Sequence, residues 1–429
     1  MKRAFQNIDE VYQFLEKIPM FGSRGVAAAN FSLDTIQEFC TEIGDPQLNY
    51  PVIHVAGTNG KGTVCRMLAS VYQSAGYKTG LYTSPHLLNV KERFKVNGMM
   101  IPEDRLIEFF QQYGEKAAEQ KLTYFELTTA IAFWYFAREN VELAIIETGL
   151  GGRLDATNIV DPALSVITSI GLDHTDILGE KIADIATEKA GIIKQNVPVV
   201  IGDLPPEAQK VIFSRTESTD SEIVCAMELK PYYSDNKIEL TAEGKRVTFD
   251  AGRLTGIDAV NAAIVYASVQ HLGKRFSVTG SLYCDGMDRL NERFPYHAHF
   301  EKLLPDRNWY FDGSHNSQAV EELLKQMNRI APFKEWTVVL SMMTDKLKPG
   351  IVSQFSKAER LYLYPMNTER AANLDKLTEQ FPFGITLQAT DTLPEEWIKN
   401  QKSELVIFGG SFYFYSIVRR WMGAIASKK

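Results

Sequence analysis

The sequence predicts an α/β protein of two domains: a larger N-terminal domain on a mostly parallel sheet with a phosphate loop, and a smaller α/β C-terminal domain. Three observations carry this. Short apolar, β-branched runs alternate with segments of helical periodicity along most of the chain, the pattern of parallel strands joined by crossover helices. A glycine-rich turn, Gly57–Thr63, falls between one such strand and one such helix. A length of 429 residues exceeds what a single hydrophobic core ordinarily serves.

The elements follow in order. Ile8, Val11, Tyr12, Phe14 and Leu15 sit at helical spacing over 8–19, and Phe21–Gly25 reads as a glycine-containing loop. A second helix is predicted from Ser32 to Ile43, with Ser32 as N-cap. Tyr50–Ala56 reads as a buried strand and Thr63–Ser74 as a helix stopped by Gly76. Strands are predicted at Thr79–Tyr82, Leu143–Glu147, Leu164–Ser169 and Val197–Ile201, with helices at Phe125–Phe136 and Ile182–Ala190. Residues 223–250 change to short alternating runs, the mark of a small antiparallel patch, before a helix over Asp258–Leu272. After Pro295 the alternation restarts, with strands at Trp309–Phe311, Trp336–Ser341, Arg360–Tyr364 and Leu405–Phe408 and helices at Ser317–Ile330 and Phe412–Met422. The domain boundary is placed near 293–299, giving domains 1–296 and 297–429.

Composition narrows the function. No stretch of eighteen apolar residues occurs, so no membrane span is predicted. The start, Met1-Lys2-Arg3-Ala4-Phe5-Gln6, soon meets Asp9 and Glu10 and carries no apolar secretory core. A net charge of −7 argues against a general nucleic-acid binder and leaves room for a local basic site for a small anion. Cys40, Cys65, Cys225 and Cys284 lack pairing or metal-ligand spacing, as expected of reduced thiols in a cytoplasmic protein. The seven histidines form no zinc pattern.

The sharpest local signal is Gly57-Thr58-Asn59-Gly60-Lys61-Gly62-Thr63. Such a turn converges backbone N–H groups on phosphate oxygens, and the helix N-terminus behind it adds a favourable dipole. Lys61 would neutralise β/γ-phosphate charge and the Thr63 hydroxyl could ligate Mg²⁺. Gly62 separates the lysine from the hydroxyl residue, which departs from the ordinary Walker A order and points to ATP-dependent amide ligases.

Three further clusters follow predicted strands, at the sheet edge where ligands of open α/β sheets bind. They are Thr83-Ser84-Pro85-His86-Leu87 with Glu92-Arg93-Phe94, the run Glu147–Asn158, and Leu172–Gly179 leading into Glu188–Lys194. Singly, Glu147 is equally a solvated strand-end carboxylate, His174 a satisfied loop histidine and Lys189 a surface lysine. Together they suit a phosphate site that needs Mg²⁺, an ion that takes oxygen ligands, few of them from protein. Thr63, Ser84 and Glu147 could hold one ion, and Glu147 with His174 a second.

The blocks GTNGKGT (57–63), TSPHL…ERF (83–94), LTYFE (122–126), ETGLGGRLDATN (147–158), GLDHTDILG (171–179) and EKAGIIK (188–194) resemble, in order and spacing, the folylpolyglutamate synthase/dihydrofolate synthase family. The resemblance implies a Mur-ligase-like N-terminal ATPase domain and a Rossmann-like C-terminal domain. It implies Mg²⁺ and ATP, and a carbamylated lysine at Lys189. It also implies catalytic roles for Lys61, Lys189 and His174, and a pterin pocket lined by Phe125, Leu154 and Asp155. In the C-terminal part Asn261, Asp312 and His315 match ATP-binding positions, and His299 stands where the family carries arginine; Asp258 stands where it carries histidine. The implied reaction joins L-glutamate to dihydropteroate, and to the glutamyl tail of reduced folates, through an acyl phosphate, in a cytoplasmic monomer without nucleic-acid or membrane partners. The loop sequence Gly151–Asn158 resembles the bifunctional form. A folylpolyglutamate synthase alone, or a folate- and ATP-binding homologue with weakened catalysis, are the alternatives. A cell-wall Mur ligase would normally carry an extra N-terminal domain, for which the chain before Gly57 is too short.

Overall fold

A computed structural model describes residues 5–18, 32–242, 244–252, 254–295, 297–356, 358–389, 391–401 and 403–427. The predicted loop Phe21–Gly25 lies outside them. The chain divides into two compact units, the first ending at Pro295 and the second beginning at Tyr296.

The first unit is built on an eight-stranded sheet. Its strands are β1 (Val52–Ala56), β2 (Thr79–Tyr82), β3 (Phe94–Val96), β4 (Met99–Met100), β5 (Leu143–Glu147), β6 (Leu164–Ile167), β7 (Val199–Ile201) and β8 (Ile223–Cys225). They lie in the order β4-β3-β2-β5-β1-β6-β7-β8. From β2 to β8 all pairings are parallel, and β3 and β4 add an antiparallel edge. β1 and β5 are buried along their whole length, which is why they read as continuous apolar runs and not as alternation. Ile53, Val55, Leu81, Ile145 and Val166 belong to a core shared with the helices Lys61–Ser74 and Gly256–His271. Val52, Tyr82, Ala144 and Ile146 belong to a second core with the helices Ile8–Glu16, Asp34–Glu42, Glu103–Glu119 and Tyr124–Arg138. A separate antiparallel sheet, β9 (Tyr232–Ser234), β10 (Lys237–Ala242) and β11 (Lys245–Asp250), completes the unit.

In the second unit, β12 (Glu301–Lys302), β13 (Trp309–Asp312), β14 (Trp336–Leu340), β15 (Arg360–Leu363), β16 (Ile385–Thr386) and β17 (Leu405–Gly409) form one sheet in the order β12-β13-β17-β14-β15-β16. Only β12 is antiparallel to its neighbour. Parallel crossovers in both units establish the α/β class read from the alternation.

Several boundaries move for identifiable reasons. Ser32 is not the N-cap: its hydroxyl accepts from Asp34 N–H, and the helix starts at Asp34 with Leu33 in the cap position. The helix expected at Phe125 starts at Tyr124, because Thr123 and Glu126 form a reciprocal capping box. The strand expected from Val197 starts at Val199, since Pro198 has no N–H to give the ladder. Ile223–Cys225 joins the large sheet in parallel and is not part of the antiparallel patch. The final helix is a short 3₁₀ turn, Phe412–Phe414, followed by the α-helix Tyr415–Ala426. The helices Glu103–Glu119, Pro206–Ser218 and Gly280–Asp288 are additional to those predicted. In the first, Leu106, Phe109, Phe110 and Ala117 are buried, a helical-period signal that the sequence does contain. No helix among the described residues is long and apolar enough to cross a membrane.

Candidate active site

Parallel register sets the site. Val55 pairs with Glu147, Ala56 with Ile167, and Tyr82 with Ile146, so β2, β5, β1 and β6 end at one edge. The four segments that follow them are the clusters singled out in the sequence, and they converge where an open α/β sheet binds ligands.

The phosphate loop is pinned to the segment after β6. Thr58 N–H donates to the Ser169 carbonyl at 2.8 Å and Asn59 N–H to Ser169 Oγ at 2.9 Å. Thr168 Oγ1 donates to the Asn59 carbonyl at 2.7 Å. Gly60 caps the Lys61–Ser74 helix at φ +83°, a left-handed conformation that favours glycine. A Cβ there would meet Asn261 Oδ1 at 2.6 Å. Asn261, far away in the chain, is thus brought against the loop by the Gly256–His271 helix. Its Nδ2 donates to Asp258 Oδ1 at 3.1 Å. A carboxylate only accepts, so this bond faces the amide nitrogen to Asp258 and the amide oxygen to Gly60. Asp258 also closes a capping box with Thr255, a structural use for the aspartate where the resemblance leads one to expect histidine.

Two lysines meet at the loop. Lys61 Nζ donates to the Gly57 carbonyl at 3.0 Å, and Lys189 Nζ to the same carbonyl at 2.9 Å. Lys189 is buried, and burial together with the Lys61 charge lowers its pKa to about 7. Asp173 and Asp155 oppose that shift. Lys189 is therefore no solvated surface lysine. Glu147, at the end of β5, is buried as well, and burial raises its pKa against the pull of Lys61. Its Oε2 accepts from Ser84 N–H at 3.1 Å, and a Cβ added at Gly62 would meet it at 3.5 Å. The structure thus brings Glu147, Ser84 and the start of the Lys61–Ser74 helix, which carries buried Thr63, to one place. His174 caps the short helix Thr175–Leu178 with positive φ and lies 4.0 Å from Asp173.

Among the described residues no group of three or more His, Cys, Asp or Glu side chains is placed to hold a metal ion. The donor set nevertheless suits Mg²⁺: one buried carboxylate, Glu147, which makes no ion pair among the described residues, beside hydroxyl-bearing Ser84 and Thr63. Mg²⁺ takes few protein ligands and completes its shell with water and phosphate oxygens.

The acceptor loop after β5 is held as firmly. Asp155 is buried and accepts from Leu150 N–H at 2.8 Å, from Thr157 N–H at 3.0 Å and from the Thr157 hydroxyl. Thr157 Oγ1 meets Nε2 of the fully buried His54 at 2.8 Å. Because that hydroxyl donates to Asp155, it accepts from His54, which fixes the proton on Nε2. The sequence reading missed His54, Thr168 and Ser169; a polar side chain inside the apolar run of β1 and hydroxyls at the end of β6 were the available signals. Phe125 packs its ring on Gly149, where a Cβ would lie 2.4 Å from the ring. Leu154 is half-buried beside Asp155.

Within the second unit, buried Asp312 accepts from Phe300 N–H at 2.7 Å and Ser314 N–H at 2.8 Å. His315 Nδ1 donates to the Gly313 carbonyl at 2.8 Å. His299 lies with its ring 5.3 Å from that of Phe412, and His315 lies 5.7 Å from the same ring. Asp312, His315 and His299 therefore cluster within their own unit.

The fold and the site define an ATP-dependent Mur-type ligase, and the chain belongs to the Mur ligase family: the Mur ligase middle domain matches residues 55–269 and the Mur ligase glutamate ligase domain residues 300–412. Within it the chain belongs to the dihydrofolate synthase/folylpolyglutamate synthase family, as the six blocks imply. It is 31% identical to the Bacillus subtilis dihydrofolate synthase/folylpolyglutamate synthase, over 90% of this chain and 94% of that protein. It is 41% identical to the Haemophilus influenzae protein of the same name, over 86% and 89%. Among solved structures, E. coli FolC in complex with DHPP and ADP superposes with a TM-score of 0.85 at 28% identity, covering 100% of both chains. A bifunctional folylpolyglutamate synthase/dihydrofolate synthase with Mn, AMPPNP and L-glutamate bound gives 0.82 at 25%, covering 99% of this chain and 100% of that one.

Proposed function

We propose that the protein ligates L-glutamate to dihydropteroate and to the glutamyl tail of tetrahydrofolates, using ATP. The observation that carries the reading is the convergence of Lys61, Lys189, Glu147 and Asn261 on one phosphate loop at the ends of four adjacent strands. Family membership supplies the chemistry. An acceptor carboxylate oxygen attacks the γ-phosphorus of ATP and ADP leaves. The glutamate amine then attacks the acyl carbon, phosphate leaves, and the amine gives up a proton.

The chain's own residues do the positioning and the charge neutralisation. The loop amides of Gly57–Thr63 and the helix start behind them receive the phosphates. Lys61, now folded onto loop carbonyls, swings to the transferring phosphoryl group. Asn261, Asp312, His315 and His299 serve the nucleotide. Thr63, Ser84 and Glu147 would hold one Mg²⁺ and Glu147 with His174 a second; bound there, they would supply positive charge to the phosphoryl oxygens. Lys189 is carbamylated in the active enzyme: a pKa of about 7 leaves a large share of its amine neutral at physiological pH, the form that reacts with CO₂. Phe125, Leu154 and Asp155 line the pterin pocket. The domains act as an ATPase domain (1–296) and a glutamate-ligase domain (297–429), in a cytoplasmic monomer; four free cysteines support the reducing compartment.

The test is phosphate release with ATP and L-glutamate, offering first dihydropteroate and then tetrahydrofolate. Turnover of both is expected. Turnover of tetrahydrofolate alone leaves a folylpolyglutamate synthase, and turnover of neither leaves a binding protein.

A further inference from the structure

The cluster Thr83–Phe94 contains a buried cation that the roles above leave unused. Arg93 is only 6% exposed. Its Nε donates to His86 Nδ1 at 2.8 Å, and its guanidinium lies 5.5 Å from the centre of the Tyr124 ring. Among the described residues no carboxylate forms an ion pair or hydrogen bond with it; the Glu147 carboxylate feels its charge without pairing to it. The adjacent Glu92 is engaged elsewhere: its oxygens accept from Leu87, Leu88 and Asn89 N–H at 2.8, 3.0 and 2.9 Å and so build the loop that carries His86.

Arginine stays charged in proteins and only donates. His86 Nδ1 must therefore accept, which places the imidazole proton on Nε2 and keeps the ring neutral. A buried guanidinium whose one side-chain acceptor is a neutral ring nitrogen is costly unless an anion joins it. Its two Nη groups form the fork that a carboxylate fits.

The position is at the site. Thr83 N–H donates to the Arg93 carbonyl at 3.2 Å, and the next residue, Ser84, donates to Glu147. The aromatic wall is shared, with Tyr124 under the guanidinium and the Tyr82 ring 6.2 Å from that of Phe125.

We propose that Arg93 binds the reacting carboxylate of the acceptor, and that His86 is the positioning residue that aims it. The inference rests on the function proposed above and names the residue that grips the acceptor's anionic end.

The experiment measures equilibrium binding of dihydropteroate and of its carboxamide analogue, which lacks the charge. Wild type should bind the carboxylate at least about tenfold more tightly, and Arg93→Ala and Arg93→Lys should bring that ratio close to one. His86→Phe should reduce the ratio in part, and His86→Asn, which keeps an acceptor for Nε, should restore it. In turnover, KM should rise for both dihydropteroate and tetrahydrofolate while KM for ATP stays within about twofold. A wild-type ratio retained in Arg93→Ala and His86→Phe overturns the inference, as does a loss confined to tetrahydrofolate. A wild type that binds neither compound overturns the proposed function, and this inference with it.

Discussion

Lys61 and Lys189 share one acceptor: both ammonium groups donate to the carbonyl of Gly57, at 3.0 and 2.9 Å. Two cations on one oxygen repel, and the lowered pKa of the buried partner reflects this together with its burial. Lys189→Met should abolish most turnover. The unfolded lysine binds its proton up to about 10.5 and the folded one only to about 7, so without bicarbonate wild type should gain stability relative to the variant as pH rises between those values. Thermal melts of both proteins at the two ends of that interval check the sign. Carbamylation itself is read by ¹³C NMR with labelled bicarbonate; a fully active enzyme without the carbamate signal refutes it.

Lys61→Ala should leave the melting temperature near wild type, because the side chain is half-buried over loop carbonyls and lies outside the core. It should lower kcat/KM more than about tenfold, a loss of transition-state binding above roughly 1.4 kcal/mol. Steady-state phosphate release decides it, and a smaller loss removes Lys61 from the phosphate site.

Asp258→Ala frees the Asn261 amide to flip, since the bond from Nδ2 to Asp258 is what orients it. KM for ATP should rise several-fold with little change in KM for the acceptor. Asp258→Asn, which can keep the helix cap while offering a less selective partner, should fall between. Gly60→Ala should be worse than either, because φ is +83° and the new Cβ would meet Asn261 Oδ1 at 2.6 Å. Initial-rate kinetics with each substrate varied in turn separates these cases.

Asp155→Ala removes the acceptor that serves Leu150 N–H, Thr157 N–H and the Thr157 hydroxyl. The dihydropteroate reaction should suffer more than tetrahydrofolate extension, because the second substrate has its glutamyl tail as an additional anchor. Equal loss in both assigns Asp155 to holding the loop alone.

His54 should make the protein acid-sensitive. Burial lowers its pKa from 6.5 to about 3, so the unfolded chain takes up a proton across that interval and the folded chain does not. Its contribution is complete above about 6.5 and is lost as pH falls toward 3, at about 1.4 kcal/mol per pH unit. Urea titrations of wild type and His54→Phe at several pH values across that interval should show wild type losing the larger share, and parallel losses would contradict the assignment.

Much of the site was legible because its chemistry is local. A glycine turn between strand and helix, and polar blocks directly after apolar runs, need only neighbours in sequence to be recognised. Glu147 and Lys189 were visible as residues but ambiguous as to state, since burial decides between a solvated charge and a perturbed one. His54 was read simply as part of a strand, because its partner Thr157 lies far along the chain.

By itself the sequence determined the α/β class, the succession of the principal strands and the phosphate loop, because periodicity and turn chemistry are properties of adjacent residues. It also determined the family, through blocks whose order survives in one dimension. Only the tertiary structure decided that β2, β5, β1 and β6 stand side by side, that Asn261 closes on Gly60, and that Lys61 and Lys189 meet at one carbonyl. Strand order, burial and amide orientation depend on contacts between distant segments, and the energies that set them arise only when those segments exclude water together.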